Sequence, residues 1–139
     1  MTETSIRDTL FNAFNTLNTF SGIEFINGNV AYPNKDFTPP ENKRWFELFF
    51  NADAPSPVAT FSEAQNRWAG FLQINICTPL DKGDNEPDNK YSWISKLFSR
   101  GATFDDVEIN KCYIASVGSQ GDYYRTVVRV EWTADIDKQ

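Results

Sequence analysis

The chain has 139 residues, 40% of them hydrophobic and 15% aromatic, a composition too rich in core-forming residues for a disordered protein. This length predicts one domain spanning residues 1–139. Nineteen acidic residues against 13 basic ones give a formal net charge of −6, which disfavours binding to nucleic-acid phosphates. The chain has no His, and its only cysteines, Cys77 and Cys112, are far apart, so neither a zinc site nor a disulfide framework is predicted.

The N-terminal segment predicts an amphipathic helix over residues 5–19. Ser5 and Asp8 have the spacing of a capping box, and apolar residues follow at helical intervals, namely Ile6, Leu10, Ala13, Phe14 and Leu17. The segment lacks the basic start and unbroken apolar block of a secretory signal, and no later window is apolar enough to span a membrane. We therefore expect neither export by a signal peptide nor a membrane partner.

Alternating apolar residues predict strands in the next third of the chain. Asn27-Gly28 predicts a tight hairpin, and 51–66, which contains two prolines, predicts a long connection. In "KRWFELFF", Phe46, Leu48 and Phe50 share one face. In "RWAGFLQINIC", the buried face is predicted to carry Trp68, Gly70, Leu72, Ile74 and Ile76, with Gly70 marking a bulge or a close backbone approach.

An acidic stretch at 80–89 predicts an exposed loop displaying Asp81, Asp84, Glu86 and Asp88. A second helix is predicted to follow, capped by Asp88 or Asn89, to end at Gly101, and to bury Trp93, Ile94, Leu97 and Phe98. Strands "TFDDVEIN", "CYIASVG" and "YYRTVVRVEW" complete the chain, with Gly118 and Gly121 in the last hairpin. The order of elements predicts an α+β fold with two helices packed on one face of a mainly antiparallel sheet.

The sequence offers little chemistry. Asp105 and Asp106 are adjacent, so on a strand they point to opposite faces and on a turn they are a solvated pair. The glycines form no phosphate-binding pattern, and neither cysteine has the electropositive setting that activates a thiol. We therefore predict no catalytic, cofactor-binding or metal-binding residue, and an enzyme is the least favoured class.

The outward face of the sheet is the remaining candidate for function. Arg125 and Arg129 are expected to form cross-strand ion pairs with Glu108 and Glu131 rather than to bind phosphates. Exposed aromatic side chains on this face could stack on a ligand, but the favoured hypothesis is a subunit interface containing Trp45, Phe49, Phe71 and Tyr123.

Several segments, taken in order, resemble the tail-terminator proteins of long-tailed bacteriophages. They are "FINGNVAYPN" after a short N-terminal helix, "WFELFFNADAPSPVA", the strand "RWAGFLQINICTPLDKG", a helix ending in "KLFSRG", a "VEI" strand and a final "YYRTVVRVEW". The resemblance covers most of the chain. It implies a tail-terminator-like fold and a structural virion protein, assembled in the host cytoplasm and located in the tail at the head-tail junction.

The resemblance implies a ring of identical subunits, commonly six, that caps the tail tube, stops its polymerisation and offers a surface to the head connector. The implied partners are other copies of the chain, the tube protein and the connector, while genome DNA passes through without specific binding. The acidic loop is then expected to face the channel, to face the tube or connector, or to lie on a solvated rim. Two alternatives remain, namely another head-tail joining ring protein and a monomeric module that binds a ligand on its aromatic sheet face.

Overall fold

The computed structural model describes residues 3–17, 30–33, 35–39, 44–53, 56–57, 65–80 and 85–137. Within these ranges there are two helices, α1 (Glu3–Asn15) and α2 (Asn85–Leu97). The strands are β1 (Val30–Ala31), β2 (Trp45–Ala52), β3 (Ser56–Pro57), β4 (Gln65–Pro79), β5 (Thr103–Phe104), β6 (Val107–Gln120) and β7 (Tyr123–Asp137). The predicted α+β fold is confirmed.

All described strands belong to one sheet, in the order β1-β2-β4-β7-β6-β5, with β3 also paired to β4. Every pairing is antiparallel except that between β1 and β2. The longest pairing joins β4 to β7 without a register shift, from Gln65 opposite Asp137 to Pro79 opposite Tyr123. The N-terminal half of the chain thus meets the C-terminal half along the middle of the sheet.

One face of the sheet, the inner face, packs against α1 and α2. Its alternate residues are buried as predicted, and they join the helices in one hydrophobic cluster that includes Leu10, Phe14, Leu17, Phe46, Leu48, Leu72, Ile74, Ile76, Phe98 and Val128. The phenyl rings of Phe14 and Phe46 meet edge to face at 5.5 Å between centroids, which joins α1 to β2. Phe50 stacks on the indole of Trp132 at 5.4 Å, across the width of β4. The core predicted from alternation is therefore confirmed.

The helix N-termini differ from the sequence prediction. Helix α1 extends back to Glu3, so Ser5 lies in its first turn instead of at the capping position. Helix α2 extends back to Asn85, so Asp88 and Asn89 lie inside it and do not cap it. Pro87 is compatible with the first turn of α2, because its fixed φ suits a helix and its missing N–H has no partner there anyway. The carboxylates that suggested a loop also favour the positive end of a helix.

Gly70 brings two backbones together in the manner predicted. It lies opposite Ala52 on β2, in a pairing that has no bulge. A Cβ atom built on Gly70 would overlap the carbonyl oxygen of Asn51 and would lie 2.9 Å from the Cα of Ala52. Only glycine allows β2 to run this close to β4.

Strand β6 is longer than predicted. Of the predicted strand "TFDDVEIN", residues 103–104 form β5, residues 105–106 form a turn, and residues 107–110 continue into the predicted strand "CYIASVG" as one strand, Val107–Gln120. Register shifts lie between Ile109 and Lys111 and between Ile114 and Ser116. Gly118 lies within this strand, and the turn to β7 is formed by Gly121, whose φ is 58°, together with Asp122. Each shift moves the alternation of inward and outward side chains by one residue, which is why a regular pattern did not reveal that β6 is one continuous strand.

The connection predicted over 51–66 is shorter than expected at both ends, because β2 continues to Ala52 and β4 begins at Gln65. Between them β3 pairs with β4 at Ser56 opposite Arg67 and Pro57 opposite Asn66. The predicted Asn27-Gly28 hairpin lies outside the described residues.

Truncation of Ile74 to Ala should lower the free energy of unfolding by about 2 to 5 kcal/mol, because its side chain is fully buried on the central strand and a cavity would remain. Leu80→Ala is the matched control, since Leu80 is 38% exposed just beyond the same strand and should lose much less. Urea unfolding followed by circular dichroism measures both. Equal losses for the two variants would contradict the assignment of the inner face.

Substitution of Gly70 by Ala should destabilise the fold by about 1 to 3 kcal/mol, because the added methyl group meets fixed backbone atoms of β2. Gly118→Ala is the control: the added Cβ would have no atom within 4 Å, so this change should be neutral or slightly stabilising. Thermal unfolding of the two variants tests the difference, and a neutral Gly70→Ala would argue against the close approach.

Candidate functional site

The candidate site is the outer face of the sheet, which is the face turned away from α1 and α2. Alternation along β2, β4 and β7 places three groups of side chains there, namely Trp45, Glu47 and Phe49, then Phe71, Gln73, Asn75 and Cys77, and then Tyr123, Arg125, Val127, Arg129 and Glu131. Unlike the inner face, it combines charged, amide and aromatic groups. Several of them are nevertheless buried, including Asn75 and Cys77.

A chain of side-chain hydrogen bonds crosses the outer face. Arg129 donates from Nε to Gln73 Oε1 at 3.3 Å, and Gln73 donates from Nε2 to Asn75 Oδ1 at 3.1 Å. Asn75 in turn donates from Nδ2 to Glu47 Oε1 at 3.2 Å. This series of hydrogen bonds begins at the Arg129 cation on β7 and ends at the Glu47 carboxylate on β2, so the side-chain amides of β4 connect two opposite charges. Such a network fixes side chains in place and satisfies the buried amide of Asn75.

The arginines do not form the ion pairs that we predicted. Arg129 binds Gln73 and places its guanidinium 4.9 Å from the ring centroid of Phe71. Among the described residues, neither Arg125 nor Arg129 forms an ion pair with Glu108 or Glu131. Glu131 instead lies opposite Lys111 and Phe71 in the strand register. The side-chain amide of Gln73 on β4, which the sequence prediction did not consider, is the hydrogen-bond partner that Arg129 uses.

The four aromatic residues predicted for an interface lie on this face, but they differ in exposure. Trp45 is buried, contrary to the expectation of an exposed ring, because Phe37 lies 5.2 Å from it and Tyr123 meets it edge to face at 5.5 Å. Phe71 is half-buried under the guanidinium of Arg129. Phe49 is the most exposed of the four, at 43%. A flat stacking platform for a ligand is therefore not present at these residues.

Depressions on the outer face are shallow. One of about 360 Å³ is lined by Glu47, Phe49, Asn51, Phe71 and Arg125, together with residues of the hydrogen-bonded chain. A smaller one of about 140 Å³ lies between Trp45, Cys77, Gln120, Tyr123 and Arg125. The polar groups that line the larger depression largely bind one another. This arrangement suits contact with a protein surface better than enclosure of a small molecule.

The two cysteines are free thiols. Burial raises the pKa of Cys77 from 9.0 to about 12, an effect that the neighbouring Glu47 carboxylate reinforces and Arg125 partly opposes. Burial alone raises the pKa of Cys112 to about 11. Both sulfurs therefore remain protonated at neutral pH, which disfavours the thiolate that nucleophilic catalysis needs.

The part of the chain that the structure describes contains no cluster of side chains arranged for acid-base catalysis or for metal binding. Asp105 and Asp106 form the exposed turn between β5 and β6, as a solvated pair, and Asp105 has a φ of 53°. No group of three potential ligands among the described Cys, Asp and Glu residues could hold a metal ion. Neither described helix is long and apolar enough to cross a membrane.

The four carboxylates predicted for one loop do not all lie in a loop. Glu86 and Asp88 belong to the first turn of α2, where Asp88 is exposed, while Asp81 and Asp84 lie outside the described residues. Strand β4 ends at Pro79, directly opposite Tyr123, so α2 begins near the end of the sheet that carries the β6–β7 turn. The exposed Asp122 of that turn adds a further carboxylate to this end of the molecule.

Both thiols should react slowly with iodoacetamide in the folded protein at pH 8.5, and far more slowly than in guanidinium. Because folding raises both pKa values, the stability that depends on the protonated thiols is complete below pH 9 and is lost as the pH rises through about 11 to 12. Mass spectrometry of timed samples counts the modified sites. Alkylation of Cys77 at the rate of the unfolded chain would contradict its burial.

Comparison with known proteins gives one match to a family model and several matches to solved structures. A family model described as phage tail terminator protein matches residues 5–132. No curated protein matches the chain. Eleven chains of solved structures match it, and one of them, whose title names no function, is 19% identical with a TM-score of 0.59 and coverage of 96% of each chain. That likeness supports the fold alone, whereas the family model spans nearly the whole sequence. On that ground, the chain belongs to the phage tail terminator family.

Proposed function

We propose that copies of this chain form a ring that caps the tail tube, stops the addition of tube subunits and offers a surface for joining the head. Membership in the tail terminator family over residues 5–132 carries the proposal, because it implies a structural role in completing a phage tail. The location that follows is the virion tail, at its junction with the head. The proposed partners are other copies of the chain, the tube protein and the head connector.

The outer face supports a structural role. Its polar side chains bind one another from Arg129 to Glu47, and its two buried aromatic contacts hold Trp45 in place. A rigid, preorganised surface loses little conformational entropy when it docks on another protein. Phe49, at the β2 side of this face, then serves as a contact at the rim of a subunit interface, while Trp45, Phe71 and Tyr123 support the surface around it.

The charge of the chain supports passage of DNA without binding. A net charge of −6 repels phosphate, which suits a channel through which a genome moves. We propose that the acidic end of the molecule, with Asp122 on the β6–β7 turn and Asp88 on α2, faces the channel or the tube. Asp81, Asp84 and Glu86 belong to the same acidic segment of the sequence.

Deletion of the gene from its phage should yield overlong tails without heads, because nothing would stop the tube, and expression of the chain in trans should restore normal length. Negative-stain electron microscopy of the lysate measures tail length directly. Tails of normal length that remain unjoined would favour the alternative of a head-tail joining protein. Normal infectious particles would contradict both.

A second arm of the complementation uses Asp81→Lys with Asp84→Lys, which reverses two charges without altering α2. If the acidic segment faces the channel, tails should have normal length while DNA ejection is slowed at low salt. If it faces the tube or connector, overlong tails or unjoined heads should appear. Asn12→Lys, on the exposed face of α1, adds positive charge elsewhere and serves as the control. Normal length, joining and ejection in the double variant would place the segment on a solvated rim.

A further inference from the structure

Strand β6 has an open edge on the side that does not face β7. Near its start, this side is covered by Gly101, which donates to Ile109 O at 2.8 Å, and by Ala102, which accepts from Ile109 N at 2.8 Å. The hydroxyl of Tyr91 donates to Cys112 O at 3.5 Å. From Tyr113 to Gln120, which we name the open edge, no described strand pairs with this side. Within the described part of the chain, the backbone donors and acceptors that point away from β7 are therefore left for another chain.

The open edge has few of the features that normally keep sheet edges apart. None of its eight residues is charged, although 23% of the chain is. Ile114 and Val117 are 39% and 56% exposed, although Val128 and Thr126, their partners on β7, are buried. The register shift beside Ala115 is the one protective irregularity within it. An uncharged edge with exposed aliphatic side chains favours strand pairing with a protein partner.

A groove continues the open edge toward the start of β6. It has a volume of about 560 Å³ and is lined by the C-terminal end of α2 and by β6, including Ser95, Ser99, Arg100, Asn110, Lys111 and Cys112. Its charged lining residues, Arg100 and Lys111, are both cations. A groove of this sign attracts an acidic protein, and the chain itself, with its net charge of −6, is one.

The opposite edge of the sheet has the geometry to fill this surface in a second copy. There, among the described residues, β1 pairs with Phe46 and Glu47, and Pro33, Lys35 and Phe37 lie beside Leu48 and Phe49. The ring of Phe49 nevertheless remains 43% exposed. Strand β2 runs antiparallel to β6, because three antiparallel pairings separate them. When the sheet of one copy continues into the sheet of the next, β6 therefore meets the β1–β2 edge in an antiparallel arrangement. Without any offset, Phe49 lies level with Tyr113.

We propose that the open edge and its adjoining groove bind the β1–β2 edge of a second copy of this chain, so that the sheets of neighbouring copies join. The inference rests on the proposed ring and assigns its subunit contact. Each copy contacts one neighbour through its open edge and the other neighbour through its β1–β2 edge. Such a heterologous contact can close into a ring. The exposed side chains of Phe49, Ile114 and Val117 lose solvent contact in the process.

Two variants of equal charge test the contact. Val117→Lys introduces a cation at the centre of the open edge, whereas Asn12→Lys introduces one on the exposed face of α1. Light scattering after size-exclusion chromatography should show an oligomer for the wild type and Asn12→Lys, and at least a tenfold weaker association for Val117→Lys. Thermal unfolding of the variants at low concentration verifies that both fold. An unchanged oligomer in folded Val117→Lys would overturn the proposal.

A second measurement does not depend on that variant. Benzoylphenylalanine placed at position 113 should, on irradiation, crosslink to a peptide from residues 45–53 of another copy, whereas the same group at position 12 should not. If the wild type is monomeric alone, tails carrying the protein are irradiated instead. Crosslinks that map to the tube protein or to another part of the chain would overturn the inferred contact, as would a lack of crosslinks in oligomers or tails.

The result is separable from the proposed function. Tail length in the complementation assay reports whether the chain caps the tube, and crosslinks report which edge joins the copies. If the protein restores tail length but crosslinks elsewhere, the proposed function is supported and the inferred edge contact is contradicted. A chain that oligomerises through the edge but never restores tail length retains the contact and loses the proposed function.

Discussion

The pairing of β4 with β7 is the constraint on which the rest of the structure depends. Fifteen consecutive residues of β4 meet β7 in an unbroken register, so the side chains that face inward on one strand face inward on the other. A slip of one residue would turn Ile74 or Val128 toward the outer face. The same register aligns Gln73 with Arg129, which begins the hydrogen-bonded chain on the outer face. One pairing therefore specifies both the core and the surface opposite it.

The two faces of the sheet have different physical tasks. The inner face is stabilised by burial against two helices, while the outer face is stabilised by hydrogen bonds and ring contacts between its own side chains. Consequently, the outer face has no concentrated reactive group: the thiol of Cys77 is protonated, and the carboxylate of Glu47 already accepts a hydrogen bond from Asn75. These properties suit a protein that docks and holds its shape, in agreement with a structural role in a phage tail.

The periodicity of apolar residues predicted those elements in which the pattern continues without interruption, over at least two turns of a helix or several alternating residues of a strand. The buried stripe of α1 and the inner face of β4 are examples, because burial on one side leaves a direct trace in the sequence. The start of α2 escaped prediction, since its acidic residues and Pro87 favour a loop and a helix N-terminus equally well. The strand character of β6 was predicted, but its continuity was not, because its two register shifts interrupt the alternation. The partners of Arg129 could not be predicted, because they depend on which amides face it across the sheet.

The position of β7 at the end of the described chain has a consequence for synthesis in the cell. Gln65 pairs with Asp137, so the central strand β4 must wait until more than seventy further residues have been made before its second neighbour exists. During translation, β4 therefore has an unpaired edge, and folding of the sheet cannot be completed until β7 has left the ribosome. The nascent chain is most vulnerable to misassembly in this interval. Neighbouring nascent chains on one messenger RNA are then close together, and each exposes an unpaired β4.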